Sequence, residues 1–125
     1  MIFDTDVLIW AIRGNSTAAH WIDNASQRYI SAQSYMELLR GAKDAKELKT
    51  LKTYVQEAGF HLLPIAESIS HRAMIYIEEH SLSHNLSIGD ALIAATAAEH
   101  GLPLATGNSK HFRAIKDLEL KVFKP

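Results

Sequence analysis

Short apolar runs recur along this chain, and most are followed closely by a segment of helical periodicity. Ile2-Phe3, Arg28-Tyr29-Ile30-Ser31, Phe60-His61-Leu62-Leu63, Leu104-Ala105 and Leu120 to Phe123 have strand character. Between them the pattern turns helical. Val7 to Ile12 ends near Gly14, and Ser16 to Ala25 follows. Ser34 to Leu39 precedes Gly41, and Asp44 to Ala58 places Leu48, Leu51 and Val55 on one face before Gly59. Glu67 to Glu79 carries Ile69, Ala73, Met74 and Ile77, His80 to Leu86 is polar and reads as loop, and Ile88 to Glu99 closes at Gly101. Alternation of this kind predicts an α/β fold with a central, mostly parallel sheet of about four or five short strands and helices on both faces.

A length of 125 residues and an apolar fraction of 47% predict a single domain, 1–125, with a core of its own. The absence of cysteine excludes disulfides and thiolate metal sites and agrees with a cytoplasmic location. Asp4 and Asp6 break the first apolar run, no basic segment precedes it, and no run reaches the roughly 18 residues of a membrane span. Neither a leader nor membrane association is expected. The formal charge of −1 gives no global attraction to nucleic acid, so any phosphate-binding surface must be local.

The acids carry the chemistry. Ligand sites of parallel α/β sheets lie at the carboxyl ends of strands. Asp4 follows the first strand directly, Glu37 is expected in the first turn of the helix after the second, and Thr106-Gly107-Asn108 follows Leu104-Ala105. Asp90 reaches the same edge if the loop before it, about eight residues and roughly 26 Å when extended, carries the chain back across the sheet. Each residue also has a capping role open to it. Ser34 to Glu37 and Ser87 to Asp90 fit capping boxes, Asp6 suits the N-cap of the first helix, and Asn108 suits the cap of a short turn from Ser109 to Phe112. Clustered carboxylates repel one another unless a cation compensates, and an all-oxygen set suits Mg²⁺ or Mn²⁺.

Taken in order, Asp-Thr-Asp-Val-Leu-Ile, Ser-Tyr-Met-Glu-Leu-Leu-Arg-Gly, Ile-Gly-Asp-Ala-Leu-Ile-Ala-Ala-Thr-Ala and Leu-Ala-Thr-Gly-Asn-Ser-Lys-His-Phe resemble a PIN-like domain, and within it a VapC-type toxin of a toxin–antitoxin pair. The likeness runs from Ile2 to about Val122. It implies a Mg²⁺-dependent endoribonuclease that activates water for in-line attack and leaves a 5′-phosphate. The resemblance puts the metal-binding, catalytic acids on Asp4, Glu37 and Asp90. It places Asn108 where the family often has a fourth acid, which puts a second metal in doubt. Asp6 then reads first as a helix cap, and otherwise as a ligand through water or a partial replacement for the charge missing at Asn108. Thr106 becomes a supporting hydroxyl. The implied partners are an RNA substrate (often transfer RNA in the family), a VapB-type antitoxin and a second copy of the chain.

Arg40 with Lys43, Lys46, Lys49 and Lys52 forms a ridge that reads first as a solvated face and second as RNA contact. Lys110, His111 and Arg113, beside Asn108, read as phosphate contacts. His80 and His84 have helical spacing but no HExxH pattern, and read as a solvated pair. Trp10, Ile12 and Trp21 are candidates for the antitoxin's groove. Two other readings stay open. One is a PIN-like module that binds RNA or protein without cutting. The other is a haloacid-dehalogenase-like phosphatase, although the second acidic motif of that fold is incomplete around Asp90.

Overall fold

Adjacent side chains of a strand point to opposite faces of its sheet, and the central strand of this protein exploits that over two residues. In the computed structural model, which describes residues 1–125, β1 (Ile2–Phe3) has both side chains fully buried. Ile2 packs with one core and Phe3 with the other. The remaining elements are α1 (Thr5–Ile12), α2 (Ser16–Asn24), β2 (Tyr29–Ser31), α3 (Ala32–Arg40), α4 (Ala45–Glu57), β3 (His61–Leu63), α5 (Glu67–His84), α6 (Ile88–Glu99), β4 (Leu104–Thr106), α7 (Ser109–Phe112) and β5 (Leu120–Val122).

The sheet has the order β3-β2-β1-β4-β5, and every neighbouring pair is parallel. The direction of winding reverses at β1. β1 and β4 are neighbours in space but lie on opposite sides of that reversal, which leaves a crevice at their carboxyl ends. Their register, Ile2 opposite Leu104 and Phe3 opposite Ala105, sends like-facing residues into the same layer. Ile2 and Leu104 join Ile69, Ala73, Tyr76, Ile93 and Phe112 under α5 to α7. Phe3 and Ala105 join Val7, Leu8, Ile22, Leu38, Leu51 and Phe123 under α1 to α4. Edge-to-face pairs, Phe3 on Phe60 at 5.8 Å and Trp21 on Phe123 at 5.5 Å, close the second core.

Several local expectations are corrected. The first helix starts at Thr5, so Asp4 rather than Asp6 is its N-cap. The helix carrying Glu37 starts at Ala32 with Ser31 as cap, and the Ser31 hydroxyl accepts from the Ser34 N–H at 2.9 Å. Ser34 and Glu37 therefore form no capping box, and Glu37 sits in the second turn. Residues 80–84 are helix and not loop, so His80 and His84 lie on the last turns of α5 with their rings 5.7 Å apart. That helix, 18 residues and about 27 Å long, recrosses the sheet, and only Asn85 to Ser87 turns the chain into α6. Met74 is exposed, and Tyr76 takes the core position expected of it. Leu48 is at the border of its buried stripe, more exposed than Leu51 or Val55. No helix is long and apolar enough to cross a membrane.

Candidate active site

The chain leaves β1 at Asp4 and enters α1 at once, so this carboxylate is held by both elements. Asp4 is only 5% exposed. Its Oδ1 accepts from the Thr5 N–H at 2.8 Å, and its Oδ2 accepts from the Thr106 hydroxyl at 2.8 Å. Thr106, the last residue of β4, is itself buried and accepts from the Asn108 N–H at 3.0 Å. The ends of β1 and β4 are thus joined through two side chains.

Glu37 arrives from α3. Its Oε1 accepts from the Thr5 hydroxyl at 2.7 Å and its Oε2 from the Gln33 amide at 3.0 Å. Asp90 arrives in the first turn of α6, where the Ser87 hydroxyl caps the helix by accepting from the Asp90 N–H at 3.1 Å. The Asp90 side chain faces His111, with Oδ2 and Nδ1 3.3 Å apart. Gly89 sets how closely these helices meet. A Cβ there would lie 2.8 Å from Glu37 Oε2 and 3.0 Å from the Gln33 amide nitrogen.

Asp6 is half-buried in the first turn of α1, two residues after the cap, and its carboxylate leaves the helix for the loop after β4. Its Oδ2 accepts from the Gly107 N–H at 2.9 Å and from the Asn108 amide at 3.3 Å. Its Oδ1 is buried with no hydrogen-bond partner. Asn108 occupies the cap position of α7 but makes no side-chain cap bond; its amide serves Asp6 instead. Gly107 permits the approach, since a Cβ there would meet Asp6 Oδ2 at 2.7 Å.

The acids feel one another. Burial, and next the charge of Asp6, push the Asp4 carboxyl up to about 7, against the hydrogen bonds of Thr106 and Thr5. Burial also raises Asp6, opposed by the Gly107 N–H, and raises Asp90, opposed by His111. Asp4, Asp6 and Glu37 each act on a neighbour or are acted on through charge around Asp90. A divalent cation suits this set. The donors are all oxygen, their like charges lack a basic side chain other than His111, and one buried oxygen is unsatisfied. No three of the Asp, Glu and His side chains close around a single point as they stand, with Glu37 turned to Thr5 and Gln33 and Asp90 to His111. Side-chain rotation of Glu37 and Asp90 would be part of binding.

The fold therefore gathers Asp4, Asp6, Glu37, Asp90, Thr106 and Asn108 at one crevice. His111, named from the sequence as a phosphate contact, lies exposed beside Asp90. Lys110 and Arg113 are exposed on either side of it. Arg40 is exposed one turn beyond Glu37 on α3, while Lys43 pairs with Glu47 at 3.9 Å and Lys46, Lys49 and Lys52 are exposed on α4. Thr5, Gln33, Gly89 and Gly107 also shape the site and were not singled out by sequence. A glycine next to each of Asp90 and Asn108 was the available signal, because close approach to a carboxylate leaves no space for a Cβ.

A family model described as the PIN domain matches residues 1–118. Ribonuclease VapC10 of Mycobacterium tuberculosis is 35% identical over 123 residues, 95% of this chain and 90% of that protein. Ribonuclease VapC of Rickettsia bellii is 33% identical over 129 residues, 96% of this chain and 93% of its own. A toxin–antitoxin complex from Klebsiella pneumoniae contains a chain that superposes with a TM-score of 0.79 at 30% identity, covering 94% of this chain and 93% of that one. VapBC2 from Rickettsia felis, bound to a DNA fragment from its promoter, shares the fold, with a TM-score of 0.82 at 19% identity over 99% of this chain and 100% of that chain.

Proposed function

Because this chain belongs to the PIN-domain family, we propose that it is a Mg²⁺-dependent endoribonuclease, Mn²⁺ being able to substitute, and the toxin of a VapBC-type pair. The single observation that carries the reading is the meeting of Asp4, Glu37 and Asp90, from three separate elements, at the crevice between β1 and β4. Ribonuclease names among relatives above 30% identity support the nuclease and toxin parts.

In this mechanism Asp4, Glu37 and Asp90 would hold the cation. When bound, it supplies positive charge to the phosphodiester and acidifies a water for attack on phosphorus. Thr106 fixes the rotamer of Asp4 by donating to it, and Thr5 fixes the approach of α3 through Glu37. Asn108 orients Asp6. Lys110 and Arg113, exposed at the rim, bind the RNA backbone and centre the scissile phosphate over the acids. Water as nucleophile leaves the 5′-phosphate on the downstream product, and transfer RNA is the substrate class to try first.

The partner in this reading is a VapB-type antitoxin. An open groove of about 410 Å³ lined by Ile9, Ile12, Leu38 and Leu51 runs to Glu37, so a segment lying in it would reach the acids. Trp21 is turned to Phe123 and leaves this groove. Homodimerisation completes the proposal; fully exposed Leu82 and largely exposed Ile88 at the α5–α6 junction offer apolar surface to a second copy.

The test is purified protein with an RNA panel, with and without Mg²⁺. Cleavage that EDTA abolishes, with downstream products degraded by a 5′-phosphate-dependent exonuclease, supports the reading. The occupied oxygens of Glu37 and the amide at Asn108 favour one alternative, a module that binds RNA without cutting. RNA retained on the protein, with no cleavage at any divalent-ion concentration, would establish that alternative instead.

A further inference from the structure

α5 ends on a pair of imidazoles that the proposed reaction does not use. The stripe that packs this helix on the core, Ile69, Ala73 and Ile77, continues at helical spacing to His80 and His84. His80 takes the next core position, with only 16% of its side chain exposed, and no hydrogen bond within the protein holds its ring. Its charged neighbour is Glu79, whose Oε2 lies 3.7 Å from Nε2. His84 is exposed in the last turn, and its Nδ1 shares a 2.7 Å hydrogen bond with the Ser83 hydroxyl. The two rings are 5.7 Å apart and edge to face. We propose that His80 and His84 form a two-imidazole site for a borderline divalent transition-metal ion of the zinc class, with water completing its coordination. This site stands apart from the nuclease reading, since it uses none of the acids and a different kind of donor.

The spacing is that of a chelate. Side chains four apart on a helix share a face, and two histidines so placed converge on one ion without backbone movement. Two imidazoles on a tetrahedral zinc, each nitrogen about 2.1 Å from the metal, have ring centres about 5 Å apart. Turning the rings brings the observed 5.7 Å to that separation. The Ser83 contact selects a tautomer. With Nδ1–H donated to that hydroxyl, His84 Nε2 presents its lone pair, and a ligating imidazole is commonly oriented by such a bond on its other nitrogen. Charge favours a cation here twice, through the Glu79 carboxylate and through the negative end of the helix. Imidazole donors suit zinc, nickel or copper, whereas the all-oxygen crevice suits Mg²⁺ or Mn²⁺. A solvated pair accounts for His84 but not for His80, whose polar ring takes a mostly buried place in an otherwise apolar stripe. A bound ion would tie together the last two turns of α5, a segment whose one large apolar side chain, Leu82, is fully exposed.

The experiment is a Zn²⁺ titration of the purified full chain, free of any affinity tag and in excess Mg²⁺ so that the acids are competed. It is read by a chromophoric zinc indicator and by thermal shift. Wild type should bind one Zn²⁺ per chain at micromolar concentration and melt a few degrees higher in excess zinc. His84→Ala removes an exposed side chain; it should leave the metal-free melting temperature unchanged and weaken zinc binding about tenfold or more. His80→Gln, close in size, should lose zinc to the same degree, so the two positions are tested separately. Asp4→Asn should keep the zinc-dependent rise that His84→Ala loses. A wild type that takes up no zinc, or a His84→Ala variant that binds as tightly as wild type, overturns the site. Zinc lost in Asp4→Asn and kept in both histidine variants places the ion among the acids and overturns it equally. None of these outcomes depends on RNA cleavage, so failure of the nuclease reading leaves the test intact.

Discussion

Asp4 illustrates how one side chain can be both a structural liability and the centre of a site. Its carboxyl titrates near 7 in the fold, against 3.8 ordinarily. A raised acid means that the folded state binds the proton more tightly than the unfolded chain. The stability this group contributes is therefore complete below pH 4 and is lost as pH rises through 7. Ionised Asp4 costs up to about 4 kcal/mol without a cation. Asp4→Asn should abolish cleavage yet raise the urea midpoint of the metal-free protein at pH 8, with little gain at pH 4; equal midpoints at pH 8 would contradict the cluster. Gly89 gives a second prediction of the same kind. A Cβ at this position presses on the flexible end of Glu37, not on backbone. Gly89→Ala should leave melting unchanged or raised, since alanine favours helix by about 1 kcal/mol, while cleavage falls about tenfold or more. Asp4 was legible in the sequence because it follows an apolar run directly, and Glu37 and Asp90 through the motifs around them. The routing of Asp6 was not, since capping and loop-bracing use the same residue type, and only the position of Asp4 at the cap decided between them.

At the scale of elements, strands were legible because each is a short run of strand character, all but the last with a helical segment after it, and their bounds moved by a residue or so. The end of α5 was not. Periodicity fails in residues 80–84, where Leu82 is fully exposed and the rest are serine and histidine. The stop signal lay further on. Asn85 adopts a left-handed conformation, φ 53°, and Leu86 is buried immediately after it, the pattern of a helix C-terminus. Leu82→Pro separates helix from loop without removing a packed side chain. It should lower stability by about 3 kcal/mol in urea unfolding; a loop would tolerate it within a few tenths. Glu37 was placed a turn early for a related reason. Ser31 and Ser34 both suit a cap, and the choice was made by β2 ending at Ser31, where the backbone is extended.

At the scale of the molecule, charge and architecture divide the work. A net charge of −1 provides no general attraction for RNA, so the proposed RNA contact must come from local charge at the rim. Replacing both Lys110 and Arg113 by alanine should make the log–log salt dependence of RNA binding shallower by about 1.4, roughly 0.7 for each phosphate contact to a single strand. An unchanged slope would return both residues to solvent. Away from the crevice, Arg72 joins Glu99 at 2.6 Å and also Asp117, and Asp117 accepts from the Tyr76 hydroxyl at 3.0 Å. This ties α5, α6 and the segment before β5 together on the far layer. The parallel sheet with two covered faces was legible from alternation alone. The order of its strands was not, because nothing local in β1 or β4 records that residue 3 will lie opposite residue 105.

That pairing has a consequence for synthesis. Asp4 is synthesised 102 residues before Thr106, the hydroxyl that orients it. A growing polypeptide therefore carries its acids without the clamp, and a truncated product never acquires it. On the proposed nuclease reading, a chain that ends before Thr106 should cleave no RNA even though it carries Asp4, Glu37 and Asp90.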